Sequence, residues 1–112
     1  MKNIVNEFRY LNGKQGVGIW DTKVSEYCQL HNLEMSKRKS IFHTDFCFLG
    51  DWQEIVVACS YAGEKWGDIQ RKLIFDIVSQ SGEHKNILLN SSILAYSFCV
   101  FDYVAYLTIR GK

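Results

Sequence analysis

The spacing of apolar residues changes several times along this chain, and each change predicts an element. Val24, Tyr27, Cys28, His31 and Met35 recur at the 3.6-residue period of one helix face. Asp21-Thr22 can cap that helix, and Lys37-Arg38-Lys39 complements the negative end of its dipole. From Ser40 to Leu49 the pattern shifts: Phe42, Phe46 and Phe48 share parity, which predicts a short, buried central strand. Asp51-Trp52-Gln53-Glu54 then reads as a capping box, followed by Trp52, Ile55, Val56, Cys59, Gly63 and Trp66 as a helical stripe. Gly67-Asp68 opens a further helix, with Ile69, Leu73, Ile77 and Val78 facing inward and Gly82 ending it. Ahead of these, Glu7 to Trp20 predicts an N-terminal β-hairpin around Asn12-Gly13-Lys14-Gln15-Gly16. A short helix ending at Gly13 is the alternative.

The last long apolar run, Asn86 to Ile109, holds a single ionised side chain, Asp102. It must either cross a bilayer or form the spine of a packed interior. Its Leu, Ile, Phe and Val residues beyond Ser91 each favour insertion by roughly 0.3–0.6 kcal/mol, whereas a central Asp opposes it by about 2.5–3.5 kcal/mol. With three Ser and three Tyr residues also in the run, the balance favours a buried core element over lipid. Ser91 or Ser92 can cap it, and Ile93, Tyr96, Val100, Tyr103, Val104 and Leu107 fit a helix. The β-branched and aromatic content suits a strand equally, so periodicity leaves the choice open. Asp102 is expected to bond a tyrosine such as Tyr61 or Tyr106. The resulting fold class is α+β: a mainly helical single domain over residues 1–112, with an N-terminal hairpin and one short central strand.

Composition narrows the class. The chain has 112 residues, 47% apolar and 14% aromatic, enough for one real core and too apolar for disorder. Thirteen basic and twelve acidic side chains leave a net charge of +1, evenly spread, which lacks the footprint of a nucleic-acid or membrane-surface binder. No apolar core of a secretory signal follows Met1, so Cys28, Cys47, Cys59 and Cys99 are expected as reduced thiols in a cytoplasmic protein. Proline is missing altogether, which permits long regular elements.

Candidate chemistry is sparse. Cys28-x2-His31, eleven residues, then His43-x3-Cys47 resembles the ligand spacing of two-cysteine, two-histidine zinc fingers, with the ligand types rearranged. A small zinc module binding nucleic acid or protein is therefore the second functional reading. The unusual ligand order and the lack of a paired-thiolate knuckle argue for the first reading, in which no metal or other cofactor is held. No nucleophile elbow, phosphate loop or dinucleotide fingerprint is present, and no catalytic residue is assigned.

Two segments do read as surface chemistry. Asp51-Trp52-Gln53-Glu54 and Glu64-Lys65-Trp66-Gly67-Asp68 each place a Trp among acids, the composition of an interaction hot spot with electrostatic steering toward a basic partner. In its size, its lack of an export signal and these acidic-Trp segments, the chain resembles the small immunity proteins of bacterial toxin systems. That resemblance implies a non-enzymatic cytoplasmic inhibitor, monomeric before it joins its partner, that covers the active site of a toxin. Many such toxins are basic nucleases, which Asp51, Trp52, Glu54, Glu64, Trp66 and Asp68 would suit as the partner-binding set.

Overall fold

The computed structural model describes all 112 residues as one α+β domain with three layers. The elements are α1 (Lys2–Leu11), β1 (Ile19–Trp20), α2 (Thr22–Arg38), α3 (Phe46–Leu49), β2 (Gln53–Ser60), α4 (Trp66–Lys72), α5 (Gly82–Asn90), β3 (Ile93–Phe101) and β4 (Val104–Gly111). One wide π turn, Leu73–Ile77, and a tight 3-10 turn, Val78–Gln80, extend α4. The strands form a four-stranded sheet in the order β1-β3-β4-β2, with β1 parallel to β3 and the other pairs antiparallel.

The sheet is buried on both faces, which explains why its strands do not alternate cleanly in sequence. On one face Ile55, Val57, Leu94, Ala105, Leu107 and Ile109 pack against α1, α4 and α5 through Val5, Phe8, Ile69, Leu73, Ile74, Val78, Ile87 and Leu88. The opposite face carries Glu54, Val56, Tyr106, Thr108 and Arg110, and α2 lies across it.

Three sequence expectations change. The N-terminal hairpin is instead α1: Asn12-Gly13 is its C-terminal cap, with Gly13 at φ 76° and the Asn12 side-chain Nδ2 donating to the Phe8 carbonyl. The stretch read as a central strand, Ser40–Leu49, is an irregular crossing that ends in α3. The capping-box segment does not start a helix; Gln53 onward is strand β2, its Ile55-Val56-Val57 run favouring extended backbone. With β2 and the C-terminal strands in place, the domain is not mainly helical.

The C-terminal spine resolves as a hairpin. β3 and β4 pair along their whole length, and Asp102-Tyr103 forms the turn, at φ 49° and 63°. Asp102 is thus an exposed turn residue. Two consecutive positive φ values are the geometry that lets a two-residue turn follow strand twist. No helix is long and apolar enough to cross a membrane.

Arg9 fastens the helical layer. Its buried guanidinium donates to the carbonyls of Leu88 and Ser91 at the end of α5, at 3.0 and 2.8 Å, and through Nε to Gln15 at 2.7 Å. A cation there also offsets the negative end of the α5 dipole.

Tyr103 is 83% exposed and holds a left-handed conformation that favours glycine. Tyr103→Gly should therefore raise stability by about 0.5–1 kcal/mol, relieving strain with little lost burial. Thermal denaturation checks this; a lower melting temperature would contradict the turn geometry.

Candidate functional site

The site grows from the face of α2 that meets the sheet. Asp21 caps the helix by accepting from the Val24 amide at 2.8 Å, so Cys28, His31 and Met35 turn inward as their spacing predicts, joined by Asn32, while Tyr27 of the same predicted stripe stays exposed. Toward the helix C-terminus the contact is apolar, Met35 meeting Val56 and Tyr106. Midway it turns polar: buried Asn32 donates to the Ser97 carbonyl and accepts from the Thr108 hydroxyl at 2.6 Å.

Beyond Asn32 lies a buried ionic node. Glu54 on β2 sits directly across from Arg110 on β4, and their side chains are 1% and 6% exposed. Arg110 Nε donates to Glu54 Oε2 at 3.1 Å, and Arg110 Nη2 donates to the Thr44 hydroxyl at 3.0 Å. Thr44, in the crossing segment, gives its amide to Glu54 Oε1 and its hydroxyl proton to Oε2, both at 2.7 Å. His43 Nδ1 stands 3.2 Å from Glu54 Oε1. His31 spans helix and crossing, with Nε2 2.6 Å from the Phe42 carbonyl and Nδ1 3.1 Å from the Thr44 hydroxyl. Since a carbonyl can only accept, Nε2 carries a proton. Burial alone would raise the Glu54 pKa, but the Thr44 bonds, the positive field of His31 and the Arg110 bond together hold it below the ordinary carboxylate value.

Over this node opens a cleft of about 500 Å³, with His31, Thr44 and Arg110 in its floor and Tyr27, Leu30, Glu34 and Phe48 around it. The rim is unusually apolar for a surface. Tyr27 is 49% exposed, Leu30 63%, Phe48 79% and the adjacent Phe46 81%. α3, capped by Asp45 through the Cys47 amide, is the sequence Phe-Cys-Phe-Leu and buries none of its residues. Glu34 and Arg38 pair across one helical turn at 2.8 Å, the Glu34 end lying at the cleft.

The residues singled out in sequence are distributed differently. Asp51 is exposed beside α3, and Trp52 is half-buried with the Lys112 ammonium 5.0 Å from its ring centre. Glu54 is no surface acid: it lies inside the node. Glu64, Trp66 and Asp68 are exposed beyond the other end of β2. The eight residues of β2 separate the two groups along the chain, and Trp66 packs on Phe98 of β3, two strands away from β2. The zinc pattern does not assemble either. His31 and His43 both reach the node, but Cys28 is fully buried, its thiol pushed up to about 12 by desolvation, while Cys47 is exposed on α3. No group of three or more His, Cys, Asp or Glu side chains is placed to hold a metal ion. Tyr27, Phe46 and Phe48 were legible as apolar residues, but their spacing pointed to the interior; Leu30 falls outside the predicted stripe of α2.

No protein-family model matches the chain, and no curated protein matches it in sequence. Among solved structures it is similar to an outer surface protein from Borrelia burgdorferi, with a TM-score of 0.68 at 13% identity. The likeness spans 99% of this chain and 88% of that one, and it concerns the fold alone.

Removing one partner of the node exposes what the pairing contributes. Arg110→Met strands a buried carboxylate and should cost about 3–5 kcal/mol, whereas adding Glu54→Leu should recover most of the loss. Urea denaturation of both variants decides; no recovery in the double variant would contradict the pairing. Because the folded Glu54 pKa is lowered, its contribution is present above the ordinary glutamate value near 4.3 and is lost as pH falls through the depressed value. Acid titration of stability should show a shallower loss in Glu54→Gln than in the wild type, and an unchanged slope would remove Glu54 as its source.

Proposed function

We propose that this chain is a non-enzymatic docking protein whose contact surface is the aromatic rim of the cleft between α2 and α3, and that its partner is a basic toxin domain which it neutralises in the cytoplasm. One observation carries the docking reading. Tyr27, Leu30 and Phe48 stand exposed around one concavity, with exposed Phe46 next to them on α3, and the floor is a satisfied buried network. Isolated exposed apolar residues are ordinary, but three large ones around a cleft have the composition and shape of an interaction hot spot. A floor fixed by Glu54, Thr44, Arg110 and His31 needs little reordering on contact, which favours affinity. A basic partner suits the exposed acids Asp45 and Asp51, which flank α3 at either end. Asp51 thereby keeps the role expected of it, now beside the rim. The toxin itself comes from the sequence resemblance, and its test is separate from that of the surface.

Co-expressed with a toxin domain encoded beside its gene, the wild-type chain should restore growth. Leu30→Asp with Phe48→Asp should abolish protection and weaken binding by about a hundredfold or more, since both side chains are surface anchors outside the core. Circular dichroism would establish that the variant is folded. Binding that survives the double substitution would remove the rim from the contact surface; failure of the wild type to bind or protect would remove the toxin.

A further inference from the structure

The outer edge of β3 is only partly covered. Ile93 and Lys112 exchange both main-chain bonds at 3.0 Å, so odd-numbered β3 residues bond inward to β4 and even-numbered ones point their main-chain groups outward. Two contacts outside the hairpin agree with this parity. The Leu94 carbonyl accepts from Asp21 at the end of β1, and the Tyr96 amide is held by the Ser25 hydroxyl at 3.2 Å. β1 stops at Trp20, paired with Leu94, and α2 crosses inward, its Asn32 reaching Thr108 of β4. Past that point the Tyr96 carbonyl, both main-chain groups of Phe98 and both of Val100 have no partner within the chain.

We infer that this edge is a self-association surface, on which a second copy of the chain adds its own β3 antiparallel about a two-fold axis at Phe98. The free groups are self-complementary in that register. Phe98 of each copy would donate to Phe98 of the other, and Val100 of each would donate to the Tyr96 carbonyl of the other. Those four bonds use the free donors, and the Val100 carbonyl of each copy then faces the Tyr96 amide of the other, where it takes the place of the Ser25 hydroxyl. The odd-numbered partners within β3–β4 are untouched.

Side chains and charge favour the same occupant. No charged residue lies between Ser92 and Phe101, so the edge lacks the Lys or Glu gatekeepers that usually block strand addition. A net charge of +1 puts little repulsion between copies. Trp66, 53% exposed, packs edge-on against Phe98 with ring centres 4.9 Å apart. Two-fold pairing would set the two Phe98 rings side by side between two Trp66 rings, covering the half of the acidic-Trp composition that lies far from the cleft. The surface is separate from the docking rim, and it departs from the monomeric state expected from sequence.

Sedimentation equilibrium from about 1 to about 500 μM should show reversible monomer and dimer, shifting with concentration by mass action. Val100→Pro removes one outward amide without breaking the β3–β4 ladder, as an edge position allows, and should weaken association by about tenfold or more at unchanged melting temperature. In residue-resolved hydrogen exchange, the Phe98 and Val100 amides of the wild type should slow as the dimer fraction rises. A monomer across the whole range, a dimer indifferent to Val100→Pro in a folded variant, or exchange at Phe98 and Val100 independent of concentration would each overturn the inference.

Discussion

Glu54 and Arg110 face each other on neighbouring strands beneath α2, and the geometry of the cleft depends on their staying paired. A carboxylate and a guanidinium removed from water lose several kcal/mol of hydration each, and attraction offsets this only where the remaining polar atoms are also bonded. Thr44 completes that set. Its amide and hydroxyl fill both carboxylate oxygens, and its oxygen takes an Arg110 proton. Satisfying the ions therefore pins an irregular segment, 39–50, against the sheet. With that segment fixed, α3 projects from the surface and its Phe48 becomes rim. The same node holds His31 to the crossing, so helix, loop and two strands share one set of bonds.

The two faces of the sheet divide the labour. One is a continuous apolar core under α1, α4 and α5, which supplies ordinary hydrophobic stability. The other mixes Met35, Val56 and Tyr106 with Asn32, Thr108 and the ion pair. Buried polar groups with a full set of partners fix register and orientation more sharply than apolar contacts do. A docking surface benefits from that rigidity, because little order remains to be imposed when a partner arrives.

Legibility from sequence followed the strength of local signals. α2 was readable because Asp21 caps it and only one of its faces is buried, so a 3.6-residue stripe survives. The inward residues Ile69, Leu73 and Val78 were readable for the same reason, although Gly82 begins α5 where a helix stop was expected. β2 was not, because Ile55-Val56-Val57 is buried on both faces and an unbroken apolar run has no period to read. Asp51 and Glu54 then imitated a capping box. Asn12-Gly13 signals both a hairpin turn and a helix C-cap, and only the burial of Val5 and Phe8 on one face of α1 separates them. Asp102-Tyr103 concealed the C-terminal turn, since nothing in a tyrosine announces a positive φ.

The cleft was harder still to foresee. Its floor joins residues 31, 44 and 110 over buried Glu54, which no spacing rule connects, and its rim uses Phe48, whose residue type suggests the interior. The histidines of the zinc-like pattern did find a shared polar centre, but one built around Glu54 with the cysteines elsewhere.

The node's control over the crossing segment can be read at one atom. In native-state hydrogen exchange the Thr44 amide, though outside any helix or strand, should exchange only through global unfolding, at a free energy matching that of Leu107 in the core of β4. Rapid exchange of Thr44 by local opening, while Leu107 stays protected, would contradict the claim that the buried ion pair holds this loop and shapes the cleft.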